Sequence, residues 1–393
     1  MAKHWTGTWA AAPQWTDPAD LPPPPFTQGG LAFADCTLRQ SVRVSAGGRP
    51  VRLRFSNAYG ATSLAVTAVS VARPRGGQAG VPVIEAGTSS AVTFGGRPAV
   101  TVPAGAQLTS DPLDFSLPAG SDVTVTICLA AGQPATGITS HPGSRTTSYL
   151  LAGSHAHDED LPGATPVDHW YFLSGIDMRT DATAAVVVGD SLTDGRGSTT
   201  NGNDRWPDRL FARLRSGPGP SVNAIVNQAL GGNRVLRDGV GPCILGRIER
   251  DALDVSGIGW LVVFAGVNDI GTAEAASTAQ RQVAADLIAA YERIAGQVRD
   301  RGVRVYGATL TPFGGNGAYD DRWGHREASR QAVNEWIRRG QRFDGVIDFD
   351  RAVRDPRTPR LLLPSLDCGD HLHLNPAGYQ ALADAVPALL FAT

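Results

Sequence analysis

The chain has 393 residues, 42% of them hydrophobic and 18% charged, a length that suits two domains, each with its own core. Its 35 Lys+Arg and 37 Asp+Glu leave a formal charge of −2, and no basic run could neutralise a series of phosphates, so no nucleic-acid partner is expected. The longest apolar stretches, around Ala184 to Gly189 and Trp260 to Val267, are far shorter than the ~20 residues that span a bilayer, and no transmembrane segment is expected.

Met1 to Trp5 run into polar and aromatic sequence without an apolar leader. The chain as it stands is therefore expected to be cytoplasmic, or secreted if a signal has been removed. Cys36, Cys128, Cys243 and Cys368 are too few and too widely spaced for a disulfide scaffold and lack zinc spacing. Pairing of Cys36 with Cys128 and of Cys243 with Cys368, or four free thiols, are both open.

From Thr37 to Leu129 apolar residues recur with a period of two: Val42 and Val44; Val51, Leu53 and Phe55; Leu113, Phe115 and Leu117; Val123, Val125, Ile127 and Leu129. Turn segments such as Ala46 to Pro50, Gly95 to Pro98 and Pro118 to Gly120 separate them. Half-buried strands at that spacing predict an antiparallel β-sandwich of jelly-roll type. In Leu64 to Val71 the phase slips between Ala68 and Val69, which predicts a bulge. A last strand is expected near Trp170 to Leu173, and the boundary near Asp181, giving an accessory domain over 1–180 and a second domain over 181–393.

Beyond it the pattern changes. Ala184 to Val188 is a continuous apolar run of the kind buried on both faces of a parallel sheet, and similar runs recur at Ala224 to Val226, Trp260 to Phe264 and Val303 to Ala308. Helix-like segments lie between them, clearest from Ser277 to Arg301, where Val283, Leu287, Tyr291, Ile294 and Val298 keep a three-to-four spacing. The alternation predicts an α/β fold with a parallel sheet. Pro376 to Leu390 reads as the closing helix, with Asn375 as its cap.

Ligands of open parallel sheets bind outside the carboxyl ends of the strands. There the sequence places Gly189-Asp190-Ser191-Leu192, then Leu230-Gly231-Gly232-Asn233, then Gly266-Val267-Asn268-Asp269, and near the C-terminus Asp370-His371-Leu372-His373. In this order the four segments resemble the blocks of the SGNH/GDSL hydrolase superfamily. That resemblance, over residues 181–393, implies a flavodoxin-like hydrolase domain with Ser191 as nucleophile, Asp370 and His373 as acid and base, and an oxyanion hole from Ser191, Gly232 and Asn268. It also implies an esterase or acylhydrolase that needs neither cofactor nor metal and takes a small-molecule or carbohydrate ester. Choosing Gly232 over Gly231 is a matter of alignment.

The chemistry asks for the same residue types. A serine hydroxyl becomes a competent nucleophile when an imidazole removes its proton, and the imidazole needs a carboxylate to fix its tautomer. Spaced i, i+3, Asp370 and His373 can meet on one side of a tight turn, and the developing oxyanion needs preorganised donors. Taken singly, each residue has a plainer reading: a turn serine, a positive-φ glycine, a capping Asn-Asp pair, a surface histidine. Asp190 and Asp269 read as structural, holding loop N–H groups. Asp367 competes with Asp370 for the acid role, and a metal on Asp370, His371 and His373 lacks a further ligand cluster.

Two other functions use the same residues: an acyltransferase with an alcohol or amine in place of water, and a catalytically silent carbohydrate-binding protein. Trp5 to Ala10 is similar to the opening of the β-rich domain that precedes the SGNH domain in some bacterial members. In that half Trp5, Trp9, Trp15 and Tyr59 could stack on sugars or serve packing.

Overall fold

The computed structural model describes residues 3–216, 224–340 and 342–391. The chain divides into two compact units, Met1–Ala182 with Thr200–Asn203, and Thr183–Thr199 with Asp204–Thr393.

The first unit is antiparallel. Its principal strands are β1 (His4–Ala10), β2 (Cys36–Arg43), β3 (Val51–Ser56), β4 (Leu64–Ala72), β5 (Gln107–Thr109), β6 (Asp122–Leu129), β7 (Ser148–Ala152), β8 (Thr165–Val167) and β9 (Leu173–Thr180). One sheet has the order β1-β9-β3-β5; the other runs β8-β7-β2-β6-β4, with the short strands Ser90–Ala91 and Val100–Val102 both paired to β4. Alternating apolar side chains from both sheets, among them Leu53, Phe55, Ile176 and Met178 from one and Leu38, Val69, Val125 and Ile127 from the other, form one buried cluster. That is a β-sandwich.

Three expectations are corrected here. The bulge in β4 falls one residue early: Leu129 faces Val66 and Cys128 faces Ala68, so Thr67 is the extra residue. Thr67 still bonds to Cys128 O through its hydroxyl, 3.0 Å away. Leu113 to Leu117 forms only isolated bridges at its ends, because Pro112 and Pro118 supply no N–H and Phe115 N–H turns back to Leu113 O at 2.8 Å. The last strand is longer and later than Trp170 to Leu173, since Phe172, at φ 62°, separates the short Trp170–Tyr171 strand from β9.

The aromatic residues singled out above have partners inside this unit. Trp9 is buried edge-on to Trp170, Trp15 lies edge-on to Tyr59, and the Arg52 guanidinium covers Trp5. All four cysteines are free thiols, and burial pushes the Cys36 thiol up to about 12.

The second unit is built on β10 (Ala184–Gly189), β11 (Ala224–Asn227), β12 (Ile258–Phe264), β13 (Arg304–Ala308) and β14 (Gly345–Ile347). All are parallel, in the order β11-β10-β12-β13-β14, the flavodoxin-like doubly wound arrangement. Every residue of β10 is buried, as its unbroken apolar run requires. The helices are α1 (Ser191–Asp194), α2 (Trp206–Ser216), α3 (Ile244–Ile248), α4 (Val267–Thr272), α5 (Ser277–Asp300), α6 (His325–Arg339), α7 (Phe349–Val353) and α8 (Pro376–Ala385). Helix α5 packs on α6 and α2 on α8, and the α5 stripe of Val283, Leu287, Tyr291, Ile294 and Val298 is buried.

Asn375 caps α8 by accepting from Gly378 N–H at 3.0 Å. The helix stops at Ala385 rather than Leu390, because Pro387 cannot continue it, and the chain resumes as a short 3-10 turn. Among the described residues, no helix is long and apolar enough to cross a membrane.

Candidate active site

Each loop at the carboxyl edge of the sheet is fixed by its own sequence. After β10, Asp190 caps α1 by accepting from Leu192 N–H at 3.0 Å, which puts Ser191 at the first helical position. Its N–H there has no acceptor within the helix. Below it, Thr193 Oγ1 accepts from the Trp206 indole at 3.1 Å and Thr193 O accepts from Asn227 Nδ2 at 2.8 Å. The first loop is thus tied to the second.

The second loop turns at Gly232, where φ is +69°. Asn233 holds that turn, donating to Pro242 O at 2.7 Å and accepting from the buried Arg247 guanidinium at 2.8 and 3.1 Å. Arg247 also reaches Gln228 O at 2.7 Å and Asp251 at 3.3 Å. On the third loop, Asp269 accepts from the backbone of Val235 and Leu236 at 2.8 and 3.0 Å, the structural part expected of it. Asn268 donates through Nδ2 to Asn233 O at 2.9 Å.

The last loop brings the histidine. His373 Nε2 lies 2.7 Å from Ser191 Oγ, and His373 Nδ1 lies 2.6 Å from Asp370 Oδ2. The other carboxylate oxygen of Asp370 accepts from the backbone of His373 at 2.8 Å and of Leu372 at 3.0 Å. Partial burial works against the Asp370 charge but is outweighed by these bonds and the neighbouring imidazole, which hold the carboxyl well below the usual carboxylate range. With Asp370 ionised, Nδ1 carries the ring proton and Nε2 is left to accept from the hydroxyl.

Asp367, the rival acid, points elsewhere: it meets His371 Nδ1 at 2.8 Å and accepts from Gly369 N–H at 2.7 Å. Asp367, Cys368 and Asp370 offer ligand atoms within 4.8 Å of one another, but both carboxylates are spent on histidines and on loop N–H groups. The metal set of Asp370, His371 and His373 is divided in the same way, each histidine turning to its own aspartate.

Deeper in, Asp190 is fully buried, and burial, with the charges of Asp269 and Asp194 adding to it, pushes its carboxyl up to about 7. Burial also raises Asp269, against the bonds from Val235 and Leu236.

Sequence reading brings Ser191, Asp370 and His373 to one place, with Gly232 and Asn268 on the neighbouring loops. It misses Arg247, whose only sign is an arginine on an otherwise apolar helix face, and the segment Gly314 to Tyr319, whose only sign is its position after a parallel strand. From that segment Tyr319 Oη donates to Asn268 Oδ1 at 2.6 Å and Asn316 Nδ2 to Asp370 O at 2.8 Å.

The region that carries this parallel sheet and these four loops is also the region with a family match. Residues 187–381 match the model of the GDSL-like Lipase/Acylhydrolase family. Similar solved structures include an acetyl xylan esterase from Geobacillus stearothermophilus, at 19% identity over 52% of this chain and 92% of that one, TM-score 0.39. An alpha/beta hydrolase from the metagenome of Lake Arreo is 22% identical over 52% and 92%, TM-score 0.36. A GDSL-like lipase from Bacteroides thetaiotaomicron is 15% identical over 52% and 85%, TM-score 0.36. No curated protein matches the chain.

Proposed function

We propose that the chain is a serine-dependent carboxylic-ester hydrolase acting on a small-molecule or carbohydrate ester. The observation that carries this reading is the relay from Ser191 Oγ through His373, 2.7 Å on one side and 2.6 Å to Asp370 on the other. Ser191 Oγ attacks the ester carbonyl while Nε2 takes its proton, and the imidazolium is held by the Asp370 carboxylate. The carbonyl oxygen becomes an oxyanion facing the N–H groups of Ser191 and Gly232 and the Asn268 amide. Nε2 then returns the proton to the leaving alkoxide oxygen, leaving an acyl-enzyme. Water, deprotonated by the same nitrogen, attacks the acyl carbon, and collapse of the second tetrahedral intermediate frees the acid and restores the serine.

The test is hydrolysis of p-nitrophenyl esters from acetyl to palmitoyl by wild type, Ser191→Ala, His373→Ala and Asp367→Ala. The reading expects the first two variants to be inactive and the third active. Wild-type inactivity on every ester, with no labelling of Ser191 by a serine-reactive phosphonate, would sink it in favour of a binding role; alcohol acceptors added to the same assay detect acyl transfer.

A further inference from the structure

We propose that Tyr319 is a positioning residue for the oxyanion hole, its phenol holding the Asn268 carboxamide with an Nδ2–H toward the reacting carbonyl, and that Gly271 is the notch that admits its ring. This rests on the ester-hydrolase reading above. A carboxamide carries an acceptor at one end and donors at the other, and turning it over exchanges them. Only one orientation presents an N–H to an oxyanion.

The partners of Asn268 select that orientation. Asn233 O can only accept, so Nδ2 must face it, at 2.9 Å. Oδ1 then needs a donor, and Tyr319 Oη supplies one at 2.6 Å. One of the two Nδ2 hydrogens is left over. Asn268 is 3% exposed, so water is a poor substitute for the phenol. Burial raises the phenol above its ordinary range, so it remains a donor at any working pH.

The ring itself is seated. A Cβ on Gly271 would stand 2.3 Å from Tyr319 Cδ2 and 2.5 Å from Cγ, so the ring lies against the helix one turn after Asn268. Glycine is disfavoured inside a helix, and here it leaves room that alanine would fill. Phe313 closes the other side edge-on at 6.2 Å. Asn316 ties Tyr319 N–H, at 3.0 Å, to Asp370 O, at 2.8 Å. One short segment therefore braces both the asparagine and the acid turn.

The experiment compares wild type with Tyr319→Phe, which keeps the ring and removes the hydroxyl, and with Gly271→Ala. On p-nitrophenyl acetate, Tyr319→Phe is expected to lower kcat by about 10- to 100-fold with KM changed less than about 2-fold, and to weaken a trifluoromethyl ketone inhibitor by a comparable factor. A purely structural tyrosine would lower Tm and leave kcat per folded enzyme alone; kcat within about 2-fold of wild type overturns the proposal. Independently of turnover, the Asn268 side-chain amide signals of 15N-asparagine-labelled protein, assigned through Asn268→Asp, should shift or broaden in both variants. Unchanged signals overturn it. If they move while wild type hydrolyses no ester, the positioning of Asn268 stands and the hydrolase reading falls.

Discussion

Asp370 holds His373 at two points, taking its backbone N–H on Oδ1 at 2.8 Å and its ring Nδ1 on Oδ2 at 2.6 Å. One residue after Asp370 the chain passes through the left-handed region at His371, φ 62°, and that reversal turns the intervening imidazole back to Asp367, 2.8 Å away. Two Asp–His pairs thus alternate along one short loop.

Replacing the two aspartates separates their parts. Asp370→Asn keeps an acceptor for the backbone N–H but removes the charge that fixes the Nδ1–H tautomer, so kcat should fall by about 10³- to 10⁴-fold. Asp367→Asn should leave kcat within about 3-fold and lower Tm by a few degrees at most. Steady-state kinetics on p-nitrophenyl acetate with thermal denaturation decides it; the reverse ranking would move the acid role to Asp367.

A pH-dependent penalty is built in at Asp190. Its carboxyl is raised from 3.8 to about 7 by burial and by the charges of Asp269 and Asp194. A raised folded value means that the protonated carboxyl favours the fold: the contribution of Asp190 is fully present below about 4 and is lost as pH rises through about 7, by an amount on the order of a few kcal/mol. Asparagine caps a helix about as well, so Asp190→Asn should raise Tm relative to wild type much more at pH 8 than at pH 4.5. Equal Tm differences at the two values would mean that the carboxyl is not carrying this penalty.

How much of this was legible depended on whether the cause was local. The apolar runs of β10 and β12 and the five-residue stripe of α5 were readable because burial on one or both faces writes itself into the spacing of the side chains. The pairing of Ser191 with His373 across 182 positions was readable only through the blocks it shares with a known superfamily. β14 was missed because three residues carry too little periodicity. Leu113 to Leu117 was misread because alternation records which face is buried, not whether a ladder forms, and between the two end bridges the Phe115 N–H turns back to Leu113 O instead of crossing to the neighbouring strand. The parts of Tyr319 and Arg247 were not legible because their partners, Asn268 and Asn233, lie 51 and 14 positions away and no spacing rule links them.

Arg247 carries a measurable share of the site's rigidity. It is buried and bonds at once to Asn233, Gln228 O and Asp251. Arg247→Met leaves Asp251 with one fewer cation and Asn233 without the donor that holds the glycine turn, a change expected to cost about 3–5 kcal/mol. Urea denaturation should show it, together with a fall in kcat at temperatures where the variant is still folded. Stability within about 1 kcal/mol of wild type would mean that Arg250, also on Asp251, suffices alone.

The two adjacent glycines can be told apart. Gly232 alone of the pair has positive φ, and a Cβ there would meet Val240 Cγ2 at 2.9 Å, whereas a Cβ on Gly231 would meet nothing closer than Asp194 Oδ2 at 3.5 Å, an ordinary contact. Gly231→Ala should therefore keep kcat within about 3-fold, while Gly232→Ala should lose about 100-fold as the turn bends away from the oxyanion. Adding Val240→Ala removes the clash but not the left-handed backbone cost of about 1–2 kcal/mol, so the double variant should recover only part of the loss. Full recovery would make the contact with Val240, rather than the backbone, the reason for glycine at 232; a neutral Gly232→Ala would take its N–H out of the oxyanion hole.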